Sequence, residues 1–236
     1  MKRFFLTLLA LFSFGLISVH AADPLDHLVF EPKPGTANGK HIVLISGDEE
    51  YRSEESCPML AKILSQRHGF KCTVLFAIDK DSGCINPNET ANIPHTQTLE
   101  SADLMILGTR WRYLPGEQLQ PILDYLNAAK PIIAFRTATH AFNNSDRYGG
   151  YDWQNFGKVV VGENWLSHHG RHKVQGGRAI TVDENADHPV LNSVSDIFTP
   201  SDIYGIEHLD QEKAVVLLRG AITETLDPAS FPIDGE

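Results

Sequence analysis

Four apolar runs punctuate the first 140 residues, and stretches with helical spacing lie between some of them. Residues 41–46 (HIVLIS), 71–78 (KCTVLFAI), 103–107 (DLMIL) and 131–135 (PIIAF) are continuous and partly β-branched, the pattern of strands buried on both faces. Residues 58–68 carry apolar positions at helical spacing, with Ser56 as the expected N-cap, Pro58 in the first turn and Gly69 as the stop. Residues 115–129 repeat the signature, with Leu119, Ile122, Leu123 and Leu126 on one face. The alternation predicts an α/β domain, a parallel sheet with helices on both faces.

Beyond residue 140 the pattern is less regular, and 156–162, 178–182 and 214–218 are candidate short helix or strand pieces. Residues 23–39, with Pro24, Pro32, Pro34, Gly35 and Gly39, predict an extended lead-in. Residues 226–236 carry no closing helix or strand, so the domain, 40–236, is expected to lack its carboxyl-terminal elements. Residues 1–22 read as a signal peptide: Lys2 and Arg3, an apolar run over 4–19, and small residues around Ala21 and Ala22. The run is short for a bilayer span. Export to the periplasm or beyond is the expectation, with no membrane span in the mature chain.

Charge narrows the partners. Twenty Lys and Arg stand against thirty Asp and Glu, a formal net charge of −10, with no basic cluster to track a phosphate backbone, so nucleic acid is excluded. Gly47 is isolated after the first strand, so no phosphate loop forms there. Three cysteines are too few for a disulfide scaffold. Cys72 and Cys84 are close enough in sequence to pair in an oxidising compartment, with Cys57 left over.

Candidate chemistry gathers at strand ends, where open α/β sheets place their ligands. The run 131–135 passes into Arg136-Thr-Ala-Thr-His140, the station of a nucleophile elbow, yet no Cys is present. Arg136 and Thr137 occupy the elbow, and His140 is a candidate general acid or base. Ser167-His-His-Gly-Arg-His172 supplies His168, His169 and His172. The i, i+4 pair His168/His172 suits a helical metal site, but Gly170 and the absence of a Glu at position 169 argue against a metalloprotease. Glu50 is a candidate carboxylate at the first strand's end, and Arg52, Arg110 and Trp111 are candidate binding groups, the indole as a sugar-stacking face. Asp202 and Tyr204 read as a structural turn.

In order along the chain, HIVLISG (41–47), DLMILGTRW (103–111), PIIAFRTATHAF (131–142), SHHGRH (167–172) and DHPVLNSV (187–194) resemble the ThuA-like (trehalose-utilisation) family, over roughly residues 40–220. The closest resemblance is to secreted members of the planctomycete type. It implies a flavodoxin-like, class I glutamine amidotransferase-like fold and a role in carbohydrate catabolism on a sugar or keto-sugar, as a hydrolase, lyase or isomerase. The family's elbow commonly reads Gly-x-His-Ser-Ala, whereas here Arg136 and Thr137 fill the His and Ser stations. Without an elbow Cys, glutamine hydrolysis is not implied. The implied mechanism moves a proton next to a carbonyl through His140 or a loop histidine, with Arg136 holding the enolate oxygen. No cofactor and no metal are expected; the partner is a small carbohydrate, and homo-oligomerisation stays open. The alternatives are a non-catalytic module binding sugar or protein through the same rim, and a metal-dependent hydrolase.

Overall fold

A computed structural model describes residues 25–206 and 208–233. The signal-peptide expectation and the last three residues lie outside that range. The first half is a mixed α/β unit around a mostly parallel five-stranded sheet, ordered β1-β3-β2-β4-β5. Its strands are β1 (His27–Phe30), β2 (His41–Gly47), β3 (Lys71–Phe76), β4 (Leu104–Thr109) and β5 (Ile132–Ala134). Helices α1 (Ser53–His68) and α2 (Gly116–Asn127) follow β2 and β4.

The period-2 pattern of β2 explains how both faces are filled. Ile42 and Leu44 join Cys72, Val74, Phe76 and Ile106 against Cys57 and Ala61 of α1. Val43 and Ile45 point the other way, joining Met105 and Leu107 against Leu119 and Ile122 of α2. Phe142, Trp153 and Phe156 extend this second cluster, with ring centroids 5.0 to 6.5 Å apart. Each fully buried aliphatic or aromatic side chain contributes about 1.5–3 kcal/mol, so this sandwich fixes the strand ends on which the site depends.

The expectations for the lead-in, the first helix and the cysteines are corrected. The lead-in contains β1, which pairs antiparallel with β3, His27 opposite Leu75 and Phe30 opposite Cys72; a proline-rich flank concealed a four-residue edge strand. Helix α1 starts at Ser53 after Arg52 in a left-handed conformation (φ 54°, ψ 53°) with no side-chain cap, so Ser56 is inside it and Pro58 lies past its first turn. Cys72 is sealed in the core and Cys84 is exposed, and both are free thiols, so they do not pair. Burial pushes the thiols of Cys57 and Cys72 up to about 12 and about 11, which leaves them inert.

The second half is built from short strands: β6 (Ser167–His169), β7 (Gly177–Thr181), β8 (Phe198–Thr199), β9 (Ile203–Gly205) and β10 (Leu218–Ile222). They form a three-stranded sheet, β10-β7-β8, and a two-stranded ribbon, β6-β9. The 156–162 stretch is one π-helical turn, Gly157–Val161, and 178–182 is β7. The helix or strand piece expected at 214–218 is a strand that begins only at Leu218. Residues after β10 fold back on it, with Thr223 opposite Pro232 and the Ile233 N–H donating to the Ile222 carbonyl at 2.8 Å. Among the described residues, no helix is long and apolar enough to cross a membrane.

Candidate functional site

The parallel strands reverse direction of addition at β2, which has β3 on one side and β4 on the other. The crevice beyond the carboxyl ends of such a pair is where open α/β sheets bind ligands. Here it is walled by the segments after β2, β4 and β5.

Asp48, 3% exposed, organises the first wall. Its Oδ1 accepts from the N–H groups of Glu50 (2.9 Å) and Tyr51 (3.2 Å), and its Oδ2 accepts from the Thr137 hydroxyl at 2.5 Å. These bonds tie the β2 turn to the elbow and consume the Thr137 proton. Arg112, 1% exposed, donates to Glu49 at 2.6 Å and to the carbonyls of Pro87, Glu89 and Arg110. Glu49 also pairs with Arg110, whose Nε lies 3.2 Å from Glu50. Trp111 has φ 48°, a true outlier for a bulky residue. It is held there by its own N–H on the His140 carbonyl at 2.9 Å, while the Arg112 N–H bonds Ala141 at 2.8 Å. The strain puts the Trp111 indole 5.1 Å from the His140 ring and 4.0 Å under the Arg110 guanidinium.

The other wall comes from the second half of the chain and converges on Asp202, whose side chain is fully buried. Its Oδ1 accepts from Arg136 (2.9 Å), Ser201 (3.2 Å) and His172 Nδ1 (3.2 Å), and its Oδ2 accepts from His168 Nδ1 at 2.5 Å. Burial alone would raise this carboxyl; the hydrogen bonds from His172 and His168, with Arg136 nearby, bring it below the ordinary carboxylate value. His168 and His172 meet at 4.5 Å between ring centroids through a strand and a turn, not a helix. Gly170 makes the turn at φ 92°, and a Cβ there would come 2.7 Å from Ile222.

Trp111, Trp165, Tyr204, His140, His168, His172, Glu50 and Arg110 enclose a cleft of about 230 Å³. His140 is its centre, with Trp165 at 5.4 Å and Tyr204 at 5.9 Å besides Trp111. Burial, helped by the Arg110 charge, pushes the His140 imidazole down to about 4, so it is neutral at ordinary pH. Its tautomer follows from its neighbour: the Thr139 hydroxyl donates to the Arg136 carbonyl at 3.1 Å and so accepts from His140 Nδ1–H at 3.2 Å. Nε2 therefore carries the lone pair. The Trp165 indole N–H is buried with no acceptor among the described residues, the kind of unmet donor that marks functional sites.

Of the residues singled out from sequence, Glu50, Arg110, Trp111, His140, His168 and His172 share this cleft. Thr137 is beneath it, bonded to Asp48. Arg136 is near but engaged: its guanidinium grips the Asp202 carboxylate and carbonyl and stacks 3.7 Å over Tyr204. Its two terminal nitrogens are thus spent on Asp202, while its buried Nε has no acceptor among the described residues. His169, one residue along β6 from His168, faces away and lines a different depression with Ile203 and Leu218. Arg52 is exposed and paired with Glu54 and Glu55. Sequence reading missed Trp165 and discounted Asp202 and Tyr204. The signal for Asp202 was indirect: three imidazoles in six residues need a carboxylate to orient them, and a distant Asp can supply it.

No protein-family model matches this chain, and no curated protein matches it closely enough to count as a relative.

Proposed function

We propose that this chain is an exported, ThuA-like enzyme on a flavodoxin-like fold that moves a proton on a small sugar or keto-sugar derivative. The parallel strands of the sheet, taken in chain order as 2-1-3-4, are compatible with that fold. The observation that carries the activity is the pairing of two imidazoles in different surroundings within one aromatic cleft.

His140, neutral and with its Nε2 lone pair available, takes the proton from the carbon beside the carbonyl. His168, its Nδ1–H fixed on the buried Asp202, keeps Nε2 for donation to the substrate oxygen when protonated, in the logic of a carboxylate-oriented imidazole. Trp111, Trp165 and Tyr204 offer apolar faces to a sugar ring, and Glu50 and Arg110 its polar rim. Arg136 and Thr137 position these groups and do not touch substrate. A cleft of about 230 Å³ is below the ~300 Å³ where drug-sized sites begin, which favours one sugar ring over two.

Metal-assisted hydrolysis has one observation behind it: His168, His172 and Asp202 offer three ligand atoms within 4.8 Å of one another. The Arg136 guanidinium on the same carboxylate opposes a cation there, so acid–base chemistry is preferred.

The test is turnover of keto-sugar and parent monosaccharide glycosides by the purified protein. His140→Ala and His168→Ala should each lower kcat by about 10²–10⁴-fold while Trp111→Ala mainly raises KM. Binding without turnover in the unaltered protein would move the reading to a non-catalytic sugar-binding module.

A further inference from the structure

A second group of imidazoles and carboxylate lies away from the cleft, where the lead-in meets the segment after β3. Asp26 places one carboxylate oxygen 2.8 Å from His27 Nδ1 and the other 2.7 Å from His95 Nε2. The two rings are 4.8 Å apart and tilted by 49°. The three ligand atoms all lie within 4.8 Å of one another. We propose that Asp26, His27 and His95 form a zinc-class divalent cation site that pins the edge strand β1 to the connection between β3 and β4.

The donor set is two imidazoles and one carboxylate, the N/O set of zinc with a position left for water, and the ring nitrogens now on the carboxylate would give up their protons to the ion. All three side chains are between 35% and 41% exposed, so an ion can enter and water can complete a tetrahedron. Comparison with the Asp202 group sharpens the assignment. There a guanidinium occupies the carboxylate at 2.9 Å; here, among the described residues, no lysine or arginine pairs with any of the three. The same side-chain types thus make a proton-handling group in one place and a cation site in the other.

The site has a mechanical consequence. Residues 26–27 precede and begin an edge strand, and His95 is held at φ 65° just before the next helical turn. A bound ion closes the chain between them, and linkage requires that it raise the stability of the folded state.

Metal-stripped protein titrated calorimetrically with Zn²⁺ should bind one equivalent with micromolar affinity, and its thermal midpoint should rise by several degrees in excess Zn²⁺. His95→Asn removes the ligand while keeping a residue that tolerates a positive φ, and His27→Gln removes the other imidazole. Each should weaken Zn²⁺ binding by more than the roughly 10–100-fold that loss of an outer-shell partner costs, whereas His172→Ala should leave it unchanged. Absence of binding at millimolar Zn²⁺ overturns the assignment. So does binding that persists in both variants or disappears in His172→Ala.

Discussion

At the scale of single residues, His140 shows how position decides chemistry. Its imidazole is half-buried among Trp111, Trp165 and Tyr204, where a charge is less well solvated than in water. Arg110 adds a second penalty. The Cε1–H resonance of His140 should therefore titrate with a midpoint near 4 instead of near 6.5, which NMR reads without any substrate. Arg110→Met should raise that midpoint, since it deletes the positive charge that lowers it most. A midpoint near the ordinary imidazole value in the unaltered protein would remove the neutral base from the mechanism. Tyr204 makes the same point in reverse: burial pushes its hydroxyl up to about 12, so it stays protonated and its ring packs against the Arg136 guanidinium.

At the scale of elements, the β6 ribbon and its turn deliver His168 and His172 to one carboxylate. A helix would also have brought residues four apart together, and helical spacing was the obvious reading of the sequence. Gly170 decides otherwise. With φ at 92° and Ile222 only 2.7 Å from where a Cβ would sit, Gly170→Ala meets both backbone strain and a clash with β10. It should cost about 1–3 kcal/mol in urea unfolding and draw His172 away from Asp202, visible as a displaced His172 Nδ1 resonance. An unchanged midpoint and resonance would mean that the turn is looser than its geometry. The same contrast explains what was legible. Buried parallel strands leave long apolar runs, so β2, β3 and β4 were readable nearly to the residue. The strands of the second half are two to five residues long and mostly half-exposed, which leaves no period to read. Edge strand β1 was hidden by the prolines around it. At the site, the strand ends pointed to Glu50, Arg110, Trp111 and His140, because topology fixes where such ends go. Asp202 could not be found that way, since its importance arises only from what packs on it 66 residues from Arg136 and 34 from His168.

At the scale of the whole molecule, Asp202 is the fastening between the parallel sheet and the short-stranded half. Arg136 reaches it from the end of β5, His168 from β6 and His172 from the following turn. Removing the carboxylate leaves a partly buried guanidinium without its partner. Because Arg136 retains some exposure, Asp202→Asn should cost about 2–3 kcal/mol, below the roughly 3–5 of a fully buried pair. Acid has a related effect, and its sign follows from linkage. The folded Asp202 carboxyl lies below its ordinary 3.8, so its stabilisation is complete above that value and is lost as pH falls through the lower, folded one. His140 acts earlier. Its imidazole is depressed from 6.5 to about 4, so the unfolded chain binds the extra proton first and stability declines as pH falls between those values. Urea midpoints measured from about pH 7 to about pH 3 should therefore fall in two stages, a decline beginning near 6.5 and a steeper one below about 4. His140→Gln should flatten the first stage, and Asp202→Asn, already weaker at neutral pH, should lose much of the second. If Asp202→Asn keeps the full acid transition, other carboxylates hold the two halves together and the fastening lies elsewhere.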